Sequence, residues 1–369
     1  MNSIDIALIQ PKQNENATFD KPIENLGMGF LSSFLKNEGF KTDIVYEELE
    51  KDLDVALDQI ISRKPLVIGL AVITYYYHIN IKQVAKKIRR KGYNGYIVVG
   101  GHGASFFADT ILENDHNIDF VAVGLAELPL KEILVLCKKG RHSEIFNIDS
   151  LAYRKNNTIK HNPINKSLSI KKTPMPDRCY LKKYDDVYEK MIFAISASRG
   201  CFGKCKFCSI GNFYRIYSNQ IWEHRDINMI IDEVVFLYNQ NIRNFIFVDD
   251  EFFGNKDNTE LRIDELCSKL KEKNMNISFA ISCRVDSINK NMLLKLKKVG
   301  LNHIFLGVEF FTKEELQLYN KQTTIIDSVQ AIKTIKSIGL SLQCGFIMFH
   351  PYTSLINIKK NLEMSMPLT

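Results

Sequence analysis

Short apolar runs alternate with amphipathic stretches along the first 140 or so residues. Ile4–Gln10, Lys41–Tyr46, Leu66–Val72, Tyr96–Val99 and Asp119–Val123 read as strands. Between them, Asn25–Glu38, Leu53–Arg63, Phe106–Asn114 and Ala126–Lys139 read as helices, and Gly39 and Gly140 stop two of these. Ile81, Val84, Ala85 and Ile88 fall on one helical face. Leu66–Val72 is apolar and β-rich throughout, as in a central parallel strand. This alternation predicts a doubly wound α/β sheet whose ligand sits beyond the C-terminal strand ends. The loops there hold Pro11, Thr74, Gly100, Gly101 and Gly124, and glycines let backbone approach a large ligand closely.

The pattern then changes. Leu151–Arg154 and Thr158–His161 flank the polar Lys155-Asn156-Asn157 as a hairpin, and Pro163, Pro174 and Pro176 break any regular element after it. From Met191 the strand–helix alternation resumes. Met191–Ile195, Asn244–Val248, Ile277–Cys283, Leu301–Val308 and Leu340–Phe349 read as strands. A helix is marked by Ile227, Ile230, Ile231, Val234 and Tyr238, and another by about Thr353 to Met364. Right-handed crossovers would close this half into a partial barrel. The expected organisation is a Rossmann-like domain at 1–145, a linker with a hairpin at 146–190 and a partial TIM barrel at 191–369. Only five clear barrel strands precede the end of the sequence; against the six-stranded (β/α)6-type barrel of the family resembled below, the chain is either truncated or a minimal member.

The chemistry concentrates just after the first barrel strand. Cys201, Cys205 and Cys208 are spaced C-x₃-C-x₂-C in Cys201-Phe202-Gly203-Lys204-Cys205-Lys206-Phe207-Cys208. Three thiols on one tight loop indicate iron–sulfur or zinc binding. Structural zinc wants four protein ligands, and no second Cys pair or His pair follows at zinc-finger spacing. A cubane held by three thiolates keeps one iron open for a chelating ligand. Further along, Asp249-Asp250-Glu251 ends a strand, and three adjacent carboxylates do not all ionise cheaply without a cation. Arg284 and Asp286 follow the third strand: Arg284 suits a carboxylate ligand, or a salt bridge to Asp286.

The cysteine spacing, with an aromatic Phe207 before the last Cys, resembles the radical S-adenosylmethionine (SAM) superfamily. The resemblance implies a [4Fe–4S] cluster on Cys201, Cys205 and Cys208 whose open iron binds SAM. It also implies reductive cleavage of SAM to a 5′-deoxyadenosyl radical. Protein-bound clusters span roughly −700 to +450 mV, and sulfonium cleavage needs the low end. Asp250 or Glu251 stands where the family contacts the SAM amine, Glu309 matches its Gly-Val-Glu, and Arg284 could pair with the SAM carboxylate. Arg225 also resembles a family position near the site, and His350-Pro351 stands where many relatives have Gly-x-Pro. Gly100-Gly101-His102-Gly103-Ala104 and Gly124-Leu125-Ala126-Glu127 resemble the cobalamin-binding domain ahead of many radical SAM domains. The second loop keeps only Gly124 and Glu127 of the usual Gly-Glu-Gly-Glu. Thr74, Gly100, Gly101, Gly124 and Glu127 are the implied cobalamin contacts. The Asp-x-His-x-x-Gly motif for a lower axial His is absent. His78 and His102 fall on the same edge as surface-loop histidines.

Composition narrows the picture without changing it. The 369 residues are 45% hydrophobic and 25% charged, as in soluble globular proteins. The net charge of +7 is spread along amphipathic helices, as at Lys82, Lys86, Lys87 and Arg89, without the aromatic interleaving of a nucleic-acid surface. No apolar run is long enough for a membrane helix, and Met1–Asp5 is unlike a signal peptide. The other cysteines (Cys137, Cys179, Cys267, Cys283 and Cys344) are scattered, as in a reduced, cytoplasmic protein. The expected function is cobalamin-dependent radical methylation of an unactivated carbon in a small molecule or peptide, with flavodoxin or ferredoxin as electron donor. The alternatives are radical rearrangement, cyclisation or oxidation without methyl transfer, and a non-catalytic iron–sulfur protein or inactive fragment.

Overall fold

The computed structural model describes residues 3–12, 21–73, 78–166, 168–184, 187–254 and 258–365. Thr74 lies outside them, as does the side chain of His78. The chain divides into two units. The first comprises residues 1–168, 173–192 and 216–219; the second comprises 169–172, 193–215 and 220–369.

The first unit runs β1 (Ile6–Gln10), α1 (Leu26–Asn37), β2 (Thr42–Tyr46), α2 (Leu53–Ser62), β3 (Val67–Ala71), α3 (His78–Arg90) and β4 (Tyr96–Gly100). It continues through α4 (His102–Phe106), α5 (Ala108–Asn114), β5 (Phe120–Ala122), α6 (Glu127–Lys138), β6 (Leu151–Lys155), β7 (Thr158–His161) and α7 (Val187–Lys190). The sheet order is β2-β1-β3-β4-β5-β6-β7. The first five strands are parallel, in the order known from flavodoxin-like sheets. Each of β1, β3, β4 and β5 is buried along nearly its whole length, which explains their unbroken apolar runs.

Two details differ from the sequence expectation. The hairpin is part of this sheet: β6 pairs antiparallel to β5, and β7 to β6. Leu151, Ala152 and Tyr153 are buried against β5, so the hairpin has an apolar half that the sheet edge can cover. The expected helix at Phe106–Asn114 is instead two helices, the first starting at His102. Gly101 turns the chain directly from β4 into α4 with φ 112°; a Cβ there would stand 2.5 Å from the Val72 carbonyl. The proline run is also docked: Ser33 Oγ donates to the Met175 carbonyl, Asp177 N to the Gly29 carbonyl, and Lys36 pairs with Asp177.

The second unit runs β8 (Ala194–Ile195), β9 (Ser198–Gly200), α8 (Ser209–Tyr217, whose last two residues fall in the first unit), β10 (Trp222–His224), α9 (Ile227–Asn239), β11 (Asn244–Phe247), α10 (Thr259–Lys273) and β12 (Ser278–Arg284). It ends with α11 (Lys290–Lys297), β13 (Leu301–Glu309), α12 (Lys313–Leu318), α13 (Ile325–Ile338), β14 (Ser341–Phe346) and α14 (Leu355–Ser365). Five parallel strands lie in the order β14-β13-β12-β11-β8. Their C-terminal ends therefore share one edge, where partial barrels carry their loops. The first strand is shorter than Met191–Ile195, because only Ala194 and Ile195 pair with β11. An antiparallel ribbon, β9 with β10, brackets the cysteine loop and α8. No described helix is long and apolar enough to cross a membrane.

Candidate active site

The carboxylate run anchors the segment that enters the cysteine loop. Asp249 is buried and accepts from Ser198 Oγ and from Ala197 N at 3.2 Å. Asp250 accepts from Gly200 N at 3.0 Å. Glu251 is fully buried; its two oxygens accept from Phe253 N at 3.0 Å and Arg284 N at 2.8 Å. Trp222 of β10 donates its indole N–H to the Glu251 carbonyl at 2.8 Å, tying the ribbon to the same turn. Of the two expected amine contacts, Glu251 is thus spent on backbone, and Asp250 keeps partial exposure.

Burial pushes all three carboxyls up, Asp249 and Asp250 to about 6 and Glu251 to about 7, against backbone hydrogen bonds that pull them down. A carboxyl raised on folding binds more protons in the folded chain than in the unfolded one. Its contribution is therefore complete below the unfolded value and is lost as pH rises through the folded one. Urea midpoints should fall between pH 5 and pH 8, and Glu251→Gln should flatten that slope. Each pKa unit is worth about 1.4 kcal/mol. An unchanged slope in the variant would refute this assignment.

The cysteine loop is held from several directions. Gly203 N donates to Cys201 Sγ at 3.3 Å, and Cys208 N to the Cys205 carbonyl at 3.3 Å. Arg215 of α8 donates to the Gly203 carbonyl at 2.8 Å. Lys206 N donates to the Tyr319 carbonyl at 2.8 Å, and Asn320 Nδ2 to the Lys204 carbonyl at 3.1 Å. Burial raises the Cys201 thiol to about 11 and raises Cys208 as well, so a bound metal must displace their protons. Soft sulfur donors on a pre-shaped loop fit an iron–sulfur cluster. Among the described residues, no three His, Cys, Asp or Glu side chains converge on a single metal ion.

Phe207 packs edge-on against Phe310 and Tyr319, which stack at 5.2 Å. His350 lies across that pair and bonds Glu315 at 2.9 Å, with both side chains buried. Glu309 ends β13 in the left-handed region with φ 73°, at an irregularity in the β13–β14 register. Its carboxylate pairs with Lys321 at 3.2 Å. Lys321 is buried and lies 5.8 Å from the centre of the Phe207 ring. Arg284 takes the salt bridge to Asp286, 2.9 Å from Nε, and its Nη1 reaches Cys205 Sγ at 3.5 Å. Arg225 is buried against Glu233 and donates to the Ser196 carbonyl, so it supports the site from behind.

Sequence reasoning missed Arg215, Tyr319, Asn320 and Lys321. The Thr324–Asp327 capping box marks where the loop after α12 ends, but nothing local says that this loop grips the cysteines.

In the first unit, the loops after β4 and β5 share the C-terminal sheet edge. Gly100 has ordinary space around it, whereas Gly101 is required by Val72. Gly124 has φ 82°, and a Cβ there would meet Tyr217 at 2.9 Å. Gly124 N donates to Ser105 Oγ at 2.8 Å, and Tyr217 donates its hydroxyl to the Ser105 carbonyl at 3.0 Å. The close approach at Gly124 is therefore made by a tyrosine. Glu127 is buried at the start of α6, and His102 packs edge-on against Phe106.

The described structure is a two-part α/β chain: a Rossmann-like unit, then a unit with a parallel five-stranded sheet and three thiols on a loop at its C-terminal edge. The family comparison gives the class: residues 195–364 match the radical SAM superfamily and residues 16–134 the B12 binding domain. The chain belongs to the cobalamin-dependent group of the radical SAM superfamily. That membership brings a [4Fe–4S] cluster, SAM and cobalamin as cofactors.

Among relatives, the chain is 26% identical to an uncharacterized methyltransferase of Pyrococcus horikoshii, over 88% of this chain and 69% of that protein. It is 26% identical to the anaerobic magnesium-protoporphyrin IX monomethyl ester cyclase of Rubrivivax gelatinosus, over 87% of this chain and 58% of that protein. The fold matches the cobalamin-dependent S-adenosylmethionine radical enzyme OxsB, solved with aqua-cobalamin and S-adenosylmethionine bound. That match has a TM-score of 0.82 at 22% identity and covers 98% of this chain and 52% of that one. The chain thus spans 52% to 69% of the length of these three proteins.

Proposed function

We propose that this chain catalyses cobalamin-dependent radical methylation of an unactivated carbon, with Cys201, Cys205 and Cys208 holding the cluster. The observation that carries the reading is the cysteine loop at the edge shared by five parallel strands, gripped by Arg215, Asn320 and Arg284. A reduced cluster supplies the electron that cleaves SAM, and cobalamin supplies a carrier for a methyl group. The chain's own residues bind and orient. Asp250, the less buried of the two expected amine contacts, would take the SAM ammonium. Glu309, set at the strand tip by its left-handed backbone, would approach the same ligand. Phe207, backed by Phe310 and Tyr319, would wall off water beside the cluster. In the first unit, Gly100, Gly101, Gly124 and Glu127 would line the cobalamin edge. Thr74 is assigned to the same edge from sequence alone. The methyltransferase relative supports methyl transfer. The cyclase relative supports a second reading, radical ring closure without methyl transfer.

The test needs no substrate. The chain is reconstituted anaerobically with iron, sulfide and hydroxocobalamin, then given SAM and a reductant. Cobalamin-dependent release of S-adenosylhomocysteine alongside 5′-deoxyadenosine is the expected result. Release of 5′-deoxyadenosine and methionine alone would replace the first reading with the second.

A further inference from the structure

The two edges of the Arg284 guanidinium do different work. Nε and Nη2 are taken by Asp286 at 2.9 and 3.1 Å, and Nη2 also donates to the Lys321 carbonyl at 2.9 Å. Nη1 points the other way and donates to Cys205 Sγ at 3.5 Å. A Cβ at Gly203 would stand 2.7 Å from Nη1 and 3.3 Å from Cys201 Sγ. The guanidinium therefore fills the hollow of the loop between two thiols. Its face lies 5.3 Å from the Phe202 ring, and the residue is 5% exposed. Bidentate capture of a carboxylate uses two parallel N–H bonds from one edge of the fork. The Nε/Nη2 edge is already closed by Asp286, and Nη1 is committed to sulfur.

We infer that Arg284 sets the reduction potential of the cluster by donating an N–H···S hydrogen bond to Cys205, and does not bind the SAM carboxylate. The inference rests on the reading of Cys201, Cys205 and Cys208 as cluster ligands. Hydrogen bonds to ligand sulfur and nearby positive charge favour the reduced, more negative cluster and so raise its potential. Asp286 and the Lys321 carbonyl fix the fork, so the donor is in place before the electron arrives.

The experiment compares the native chain with Arg284→Gln and Arg284→Lys, each reconstituted anaerobically. Iron per chain is counted, and the cluster is titrated with dithionite by EPR without SAM. Both variants should load iron as the native chain does. The midpoint should move negative in Arg284→Gln and less far in Arg284→Lys, while the change that SAM causes in the EPR spectrum persists. An unchanged midpoint in a loaded variant overturns the inference and leaves the cluster reading intact. Loss of the SAM effect at an unchanged midpoint overturns it in favour of carboxylate binding. Failure of both variants to load iron overturns it in favour of a purely structural role. If only Arg284→Gln fails, the Arg284→Lys midpoint decides: a negative shift supports the inference, and none overturns it. A native chain that takes up no iron removes the cluster reading itself.

Discussion

Alanine at Cys201, Cys205 or Cys208 abolishes iron loading and, with it, cleavage of SAM. The reason is donor count. The loop supplies three sulfurs to a cluster of four irons, so one iron already lacks a thiolate and the loop holds no sulfur in reserve. A missing thiolate thus has no replacement. The loss should exceed the roughly 10–100-fold that changes to outer-shell partners cost. The surrounding grip does not depend on the thiols. Arg215 and Asn320 bond the Gly203 and Lys204 carbonyls, and Lys206 N bonds the Tyr319 carbonyl. Each alanine variant should therefore fold with an unchanged far-UV spectrum. Iron and sulfide counts after desalting, with 5′-deoxyadenosine release, check the prediction. A variant that keeps full iron and full cleavage would overturn the site assignment.

The largest loss of stability should come from Glu233→Ala. Glu233 of α9 pairs with Arg225 at 2.6 Å, with side-chain exposures of 0% and 1%. Arg225 also donates from Nη1 to the Ser196 carbonyl at 2.8 Å and from its backbone N to the Ala197 carbonyl at 2.9 Å. Removing Glu233 strands a guanidinium in the interior, which costs about 3–5 kcal/mol. Domains are stable by only about 5–15 kcal/mol, so the second unit should unfold at much lower urea. Replacing both partners with apolar residues, Arg225→Met with Glu233→Leu, should recover much of the loss, because no charge is left buried. Equal midpoints for the single variant and the native chain would show that the pair contributes nothing. Iron loading should fall with the single variant, since Ser196 and Ala197 lead directly into the cysteine loop.

Much of the layout is legible along the chain. Unbroken apolar runs mark the strands of the first unit, because a strand of a covered parallel sheet is apolar on both faces, whereas β12 and β13 of the second unit bury largely alternate residues. Boundaries shift where tertiary contacts decide them. Met191–Ile195 reads as one strand, yet Ile192 bridges to Ile23 and only Ala194 and Ile195 join β11. The hairpin at Leu151–His161 reads as a linker because half its residues are polar. It becomes sheet because β5 offers an edge for its buried face.

The site divides along the same line. Spacing alone places Cys201, Cys205 and Cys208 on one short loop. Sequence proximity likewise sets Asp249, Asp250 and Glu251 side by side, but their fates differ through partners far along the chain. Glu251 is consumed by the backbone of Arg284, while Asp250 keeps partial exposure. Lys321 and Asn320 reach the cysteine loop from more than a hundred residues away. Gly124 looks like room for a ligand until Tyr217 is seen against it. What the order of residues determined by itself was the two-part α/β plan, the thiol loop and the edge on which it lies. Which charge faces which sulfur, and which carboxylate stays open, was decided only on folding. Those contacts depend on burial and on the meeting of distant segments, and no local pattern carries either.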